Sequence, residues 1–197
     1  AMPAVFVVPQ CSNRTKGWGG MASDVKRLLD YVVQQEAADT ARIYIFGGSM
    51  GGTGTWKMLS LYPCYFAAAM PCAGNPKGMS AENVATTPVY TVMGLADKIM
   101  GSDVRATLET FITQLESLGD EVRYETVAGW THEMTCIQSY SAVRLGWVFS
   151  HKRGQTTGLT TSLVNATDEG WYDLSGRRFA APLSHGVYIH KGKKVVF

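Results

Sequence analysis

Apolar residues along the first 150 or so positions keep two rhythms, and each rhythm marks a different kind of element. Val25, Leu28, Leu29, Val32 and Val33 share one side of a helix over roughly 21–36, while Val104, Leu108, Phe111, Leu115 and Leu118 share one side of another over roughly 102–118, stopped by Gly119. Segments at roughly 50–61 and 135–150 read as helices too. Between these lie short runs rich in β-branched and aromatic residues, at roughly 4–8, 42–46, 66–71, 88–93 and 121–127. Strands alternating with helices at this spacing predict an α/β fold, a mostly parallel sheet flanked by helices. The rhythm ends near His151-Lys152-Arg153-Gly154. A Gly/Thr-rich stretch follows, then short strand-like runs broken by Asp173-Leu174-Ser175-Gly176 and Ser184-His185-Gly186. The chain therefore divides into an α/β domain over 1–153, a linker at 154–161 and a β-rich tail over 162–197.

Composition narrows the function without naming it. With 46% hydrophobic and 17% charged residues, the 197-residue chain can build a real core. A net charge of +2, with no basic face interleaved with aromatics, argues against nucleic acid as a partner. No apolar run reaches the roughly 18 residues that would signal a membrane span. The start, Ala1-Met2-Pro3-Ala4, has no signal-peptide pattern. Cys11, Cys64, Cys72 and Cys136 show neither Cys-x-x-Cys spacing nor a His partner at zinc-ligand distance in sequence, so no metal site and no cofactor are expected. Free thiols and a disulfide both stay open for them.

The densest chemical signal is Ile43-Tyr44-Ile45-Phe46-Gly47-Gly48-Ser49-Met50-Gly51-Gly52, a strand-like run entering Gly-x-Ser-x-Gly and then a helix. That is the pattern of a nucleophile elbow, in which a sharp strand-to-helix turn lifts the serine clear of the sheet. The glycines two before and two after Ser49 are expected to admit close backbone approach. An ordinary Gly-rich turn is the bland alternative; the strand-turn-helix context favours Ser49 as a nucleophile. Such a serine needs an acid and then a base later in the chain. Asp97 follows the strand Pro88-Val89-Tyr90-Thr91-Val92-Met93-Gly94, at the end where open α/β sheets gather ligands. Asp103 is the alternative acid, but it sits where a helix should start and is explained as a partner of the helix dipole. His132 falls in the loop after the next strand, whereas His151 lies in a basic patch and His185 and His190 lie in the tail. Gln10, Trp18 and Trp130 are weaker candidates for lining a substrate pocket, each balanced against a packing role. Trp56 reads as core.

Those residues resemble a family of small α/β-hydrolase esterases related to predicted peptidases, polyhydroxybutyrate depolymerases and feruloyl esterases. The likeness runs over about the first 150 residues. It rests on Val8-Pro9-Gln10-Cys11, on the block from Ala41 to Trp56, on the segment from Tyr65 to Gly74, and on the loops of Asp97 and His132. It implies a serine hydrolase acting on carboxylic esters, commonly acyl groups on plant polysaccharides. A serine peptidase on the same fold and an inactive glycan- or partner-binding remnant are the other readings.

The chain also departs from that family. Several strands and a His-Gly oxyanion loop would precede the serine, yet only 48 residues do, with one convincing strand at roughly 4–8. The N–H of Met50 is then the one oxyanion donor that can be named. A missing strand would leave the strand before Ser49 with an open edge, expected to pair with a tail strand such as 186–190 or with a second copy. The tail, with Tyr172-Asp173-Leu174-Ser175-Gly176-Arg177 and Gly192-Lys193-Lys194, resembles C-terminal sorting modules of secreted Bacteroidetes proteins and implies export to the surface or beyond.

Overall fold

The computed structural model describes residues 4–13, 15–154, 171–173, 178–179, 187–190 and 193–196. Two compact units emerge, one over residues 1–155 and one over 156–197. In the first, a single turn of helix, α1 (Gly17–Gly20), leads to α2 (Ala22–Gln35) and the strand β1 (Tyr44–Gly48). Then come α3 (Met50–Leu61), β2 (Ala68–Cys72), α4 (Ala81–Val84), β3 (Val89–Gly94), α5 (Gly101–Ser117) and β4 (Val122–Val127). Two short helices, α6 (His132–Gln138) and α7 (Ala142–Ser150), complete it.

The four strands pair in parallel in the order β1-β2-β3-β4. Parallel pairing follows from the helices between them, and β2 and β3, covered on both faces, are buried throughout and largely apolar. Along β2 the side chains alternate between two cores. Ala69 joins Trp56, Leu59, Phe66, Val89, Leu108 and Leu115 on one side, while Ala68, Met70 and Cys72 join Tyr90, Val92 and Val148 on the other. Trp56 is fully buried, edge-on to Phe111 at 5.5 Å. Of the helical stripe in α5, Leu108, Phe111 and Leu115 are buried but Leu118, at the helix end, is exposed.

Three sequence expectations need correction. Residues 4–8 form no strand. Val5, Phe6 and Val8 are exposed, because β-propensity yields no strand without a neighbour to exchange hydrogen bonds. The single helix expected over 135–150 is two, divided at Ser139-Tyr140-Ser141, where the Ser141 hydroxyl accepts from the Arg144 N–H and starts α7. His151, read as part of a basic patch, is itself buried, with Nδ1 2.8 Å from the Trp147 carbonyl and Nε2 3.3 Å from Glu121 Oε2.

Within the second unit, β5 (Trp171–Asp173), β6 (Arg178–Phe179), β7 (Val187–His190) and β8 (Lys193–Val196) make a separate antiparallel sheet, ordered β6-β5-β7-β8. The tail strand expected to close the edge of β1 is therefore paired with β5 and β8 instead. Among the described residues β1 pairs with β2 alone. His190 stacks on Trp171 at 4.1 Å; His185 and residues 155–161 of the expected linker lie outside the described residues. No helix among the described residues is long and apolar enough to cross a membrane.

Candidate active site

Between β1 and α3 the chain reverses at Ser49, whose backbone sits at φ 57°, ψ −120°. A non-glycine residue reaches positive φ only when its surroundings enforce it, and such strain gathers at functional sites. Here the Ser49 N–H donates to the Cys72 carbonyl at 3.1 Å, and the Ser49 carbonyl accepts from Thr53 at 3.0 Å. The turn also needs glycine at Gly47, where a Cβ would overlap the Gly51 carbonyl and come within 2.7 Å of Thr55 Oγ1. On the other side the expectation shifts by one residue. A Cβ on Gly51 would meet open space, whereas one on Gly52 would overlap the Cys72 carbonyl and stand 3.1 Å from Gly74 Cα.

Asp97 lies in the loop after β3 with its side chain almost wholly buried. Its Oδ1 accepts from the N–H groups of Ile99 and Met100, both at 2.9 Å, which fixes the carboxylate and leaves Oδ2 free to face His132. His132 opens α6, a helix capped by the Thr131 hydroxyl. Its Nδ1 stands 2.7 Å from Asp97 Oδ2 and its Nε2 stands 2.8 Å from Ser49 Oγ. An ionised carboxylate can only accept, so Nδ1 carries the proton and Nε2 presents a lone pair to the serine hydroxyl. The structure thus brings Ser49, His132 and Asp97 into one hydrogen-bonded line. Asp103 is exposed in the first turn of α5, away from that line.

The Met50 N–H begins α3, where the first backbone donors of a helix have no intrahelical acceptor. Gln10 is exposed, in the segment before α1 that forms no strand. Trp18 packs its side chain over Gly54 of α3, and Trp130 packs against the core that contains Tyr90 and Val148. Both indoles are half-buried.

Sequence reasoning missed the groups around His132. Cys136 lies one turn along α6 from His132, with Sγ 3.9 Å from Nε2 and its side chain against Gly48. Burial, and then the charge of Asp97, push its thiol up, so it stays protonated. The i, i+4 spacing of His132 and Cys136 was the signal that could have found it. Behind the base loop, Arg144 meets Glu125, and Glu125 also accepts from the Tyr90 hydroxyl. Burial works against the Glu125 charge, but the hydrogen bonds from Arg144 and Tyr90 outweigh it and hold the carboxyl below its ordinary range. All four cysteines are unpaired, and among the described residues no cluster of three His, Cys, Asp or Glu could hold a metal.

A strand-to-helix turn of this form at the C-terminal edge of a parallel sheet, with Asp97 and His132 beyond the ends of β3 and β4, is the arrangement of the α/β-hydrolase fold. Residues 12–80 match the prolyl oligopeptidase family. The chain is 33% identical over 190 residues to a probable acetylxylan esterase A of Aspergillus fumigatus, an alignment covering 91% of this chain and 49% of that protein. It is 23% identical over 188 residues to acetylxylan esterase A of Aspergillus awamori, covering 91% and 60% respectively. A crystal structure of a thermostable esterase superposes with a TM-score of 0.60 at 26% identity, over 66% of this chain and 36% of the other. The chain therefore spans about half the length of the relatives matched along most of its residues.

Proposed function

We propose that the chain is a carboxylic ester hydrolase in which Ser49 is the nucleophile, His132 the general base and Asp97 the residue that orients and stabilises the imidazole. The observation that carries this is the unbroken line from Asp97 Oδ2 through His132 to Ser49 Oγ, 2.7 and 2.8 Å long at its two links. Ser49 Oγ attacks the ester carbonyl carbon as its proton passes to Nε2. The carbonyl oxygen gains the negative charge, and the Met50 N–H at the positive end of the α3 dipole is the donor in reach of the elbow. Collapse breaks the ester C–O bond, the leaving alkoxide takes the proton from Nε2, and the acyl group stays on Ser49. Water, deprotonated by His132, then releases the carboxylic acid and restores the serine.

The named relatives support an acetylated xylan as the substrate class, and work outside the cell is the reading that agrees with such a substrate. The tail's likeness to sorting modules agrees with export. A peptidase reading draws on the prolyl oligopeptidase match, but that match ends at residue 80 and reaches neither Asp97 nor His132.

A fluorophosphonate probe tests the nucleophile directly, since it labels only an activated serine. Labelling of the wild type that vanishes in Ser49→Ala, together with acetate release from acetylated xylan, is the expected result. A wild type that neither labels nor hydrolyses any ester would leave a binding remnant as the better reading, and faster cleavage of peptide anilides than of esters would turn it to peptidase.

A further inference from the structure

His132 sits at the first position of a helix only seven residues long. A helix this short does not hold itself in place, so the imbalance must be met by contacts from outside. One side chain supplies them at both ends of the segment. The guanidinium of Arg144 lies over the Trp130 ring, 5.5 Å from its centroid, two residues before the base. Its Nη1 donates to the carbonyls of Gln138 and Ser139, at 3.4 and 3.3 Å, at the far end of α6. A cation is favoured there because the last carbonyls of a helix are unpaired and carry its negative dipole end.

Arg144 is itself fixed. Its Nε and Nη2 donate to Glu125 Oε2, at 3.0 and 2.6 Å, and Glu125 Oε1 accepts from the buried Tyr90 hydroxyl. Glu125 and Tyr90 lie on β4 and β3, the strands that deliver the base and acid loops. The connection reaches the acid as well, because the Trp130 carbonyl accepts from the Ala96 N–H at 3.0 Å, one residue before Asp97. We propose that Arg144, anchored by Glu125 and Tyr90, is a positioning residue that sets the distance of the His132 imidazole from Ser49. It touches neither substrate nor reacting atoms, and the inference rests on His132 being the general base.

The test compares Arg144→Met, which keeps the apolar stem, with Arg144→Lys, which keeps the charge without the planar donor set. On p-nitrophenyl acetate, Arg144→Met is expected to lose roughly ten- to hundredfold in kcat with KM within about twofold, the scale on which a misplaced catalytic group acts. Phosphonylation of Ser49 by the fluorophosphonate probe should slow by the same factor. The downfield proton resonance of the His132–Asp97 hydrogen bond should broaden or disappear. Arg144→Lys should recover part of each. Leu108→Ala, on the buried face of α5, provides a destabilised comparison expected to keep its labelling rate. Wild-type labelling and an unchanged resonance in Arg144→Met would overturn the inference, as would an equal loss in Leu108→Ala. If the wild type itself neither labels nor turns over, the assignment of the base has failed; the resonance then still decides whether Arg144 holds the ring.

Discussion

Replacing Asp97 by Asn changes one atom's chemistry and almost nothing in shape, which makes its effect calculable from the contacts of the carboxylate. Oδ1 receives two backbone N–H groups at 2.9 Å, and an amide oxygen can accept both. The amide nitrogen must then replace Oδ2, 2.7 Å from His132 Nδ1. Nitrogen there donates, so Nδ1 must become the acceptor and the proton moves to Nε2. That places an N–H against Ser49 Oγ where a lone pair is needed, and the serine loses its base. The imidazolium that forms during acylation also loses its countercharge.

An aspartate-to-asparagine change with this consequence lowers kcat about 10⁴-fold, equivalent to roughly 5 kcal/mol of transition-state stabilisation. Fold stability should change by about 1 kcal/mol, since two of the three hydrogen bonds survive and the third can re-form with the other tautomer. Hydrolysis of an aryl acetate at pH 7, read beside a thermal melt, separates the two quantities. Ser49→Ala should remove the remaining turnover, and Asp103→Asn, exposed at the start of α5, should match the wild type. Activity of Asp97→Asn within tenfold of wild type, with Asp103→Asn impaired, would refute the assignment of the acid.

Gly94→Ala should lower both stability and turnover, because a Cβ at the end of β3 would overlap the Trp130 carbonyl and push the base loop from the acid loop; a wild-type melt and rate would contradict this. Asp120, half-buried, has its carboxyl pushed up to about 7 by that burial. The folded state therefore holds the proton more tightly than the unfolded chain, so its stabilising effect is complete below about pH 4 and lost as pH rises through about 7. Asp120→Asn should flatten that slope and gain on the order of 1–2 kcal/mol at pH 8, after allowance for solvent screening, measured by denaturant titration at both ends of the range. The β1 edge offers Tyr44-Ile45-Phe46-Gly47-Gly48 without a charge or proline, whereas β4 carries Arg123 and Glu125, so self-association at micromolar concentration is expected and a clean monomer by light scattering would exclude it.

What the chain's rhythm revealed, and what it hid, follows from the range of the forces involved. The buried strands β2 and β3 and the stripe of α5 were legible because local pattern and tertiary burial agree there. The Ser49, Asp97 and His132 loops were legible because each sits where a strand pattern stops. Residues 4–8 misled because β-propensity is a demand for a neighbour, and among the described residues no strand pairs with them. Gly52 could not be preferred over Gly51, since the atoms that exclude its Cβ belong to Cys72 and Gly74, some 20 residues on. The break at Ser139-Tyr140-Ser141 did carry a local signal, a serine three residues before Arg144 at a helix start, masked by the apolar residues on either side. Arg144 and Glu125 carried none, being 19 residues apart and meeting only when α7 docks near β4.

The same distinction explains how the reacting groups can be placed accurately although they come from three separate loops. Each loop is bonded to its neighbour before any of them reaches the serine. The Ser49 N–H is held by Cys72 at the end of β2, and the Ala73 N–H, one residue later, is held by Val92 in β3. The Leu95 N–H is held by Val127 of β4, and the Ala96 N–H by Trp130 in the base loop. Four successive strand ends are thus tied by backbone bonds across the sheet, from the Ser49 turn to the Asp97 loop and on to the His132 loop. The side-chain line from Ser49 to His132 to Asp97 then bridges the same ends in the opposite direction. A shift of any one strand would have to break a backbone bond as well as a side-chain contact. Positional accuracy is therefore a property of the parallel register, and the side chains at its ends inherit it.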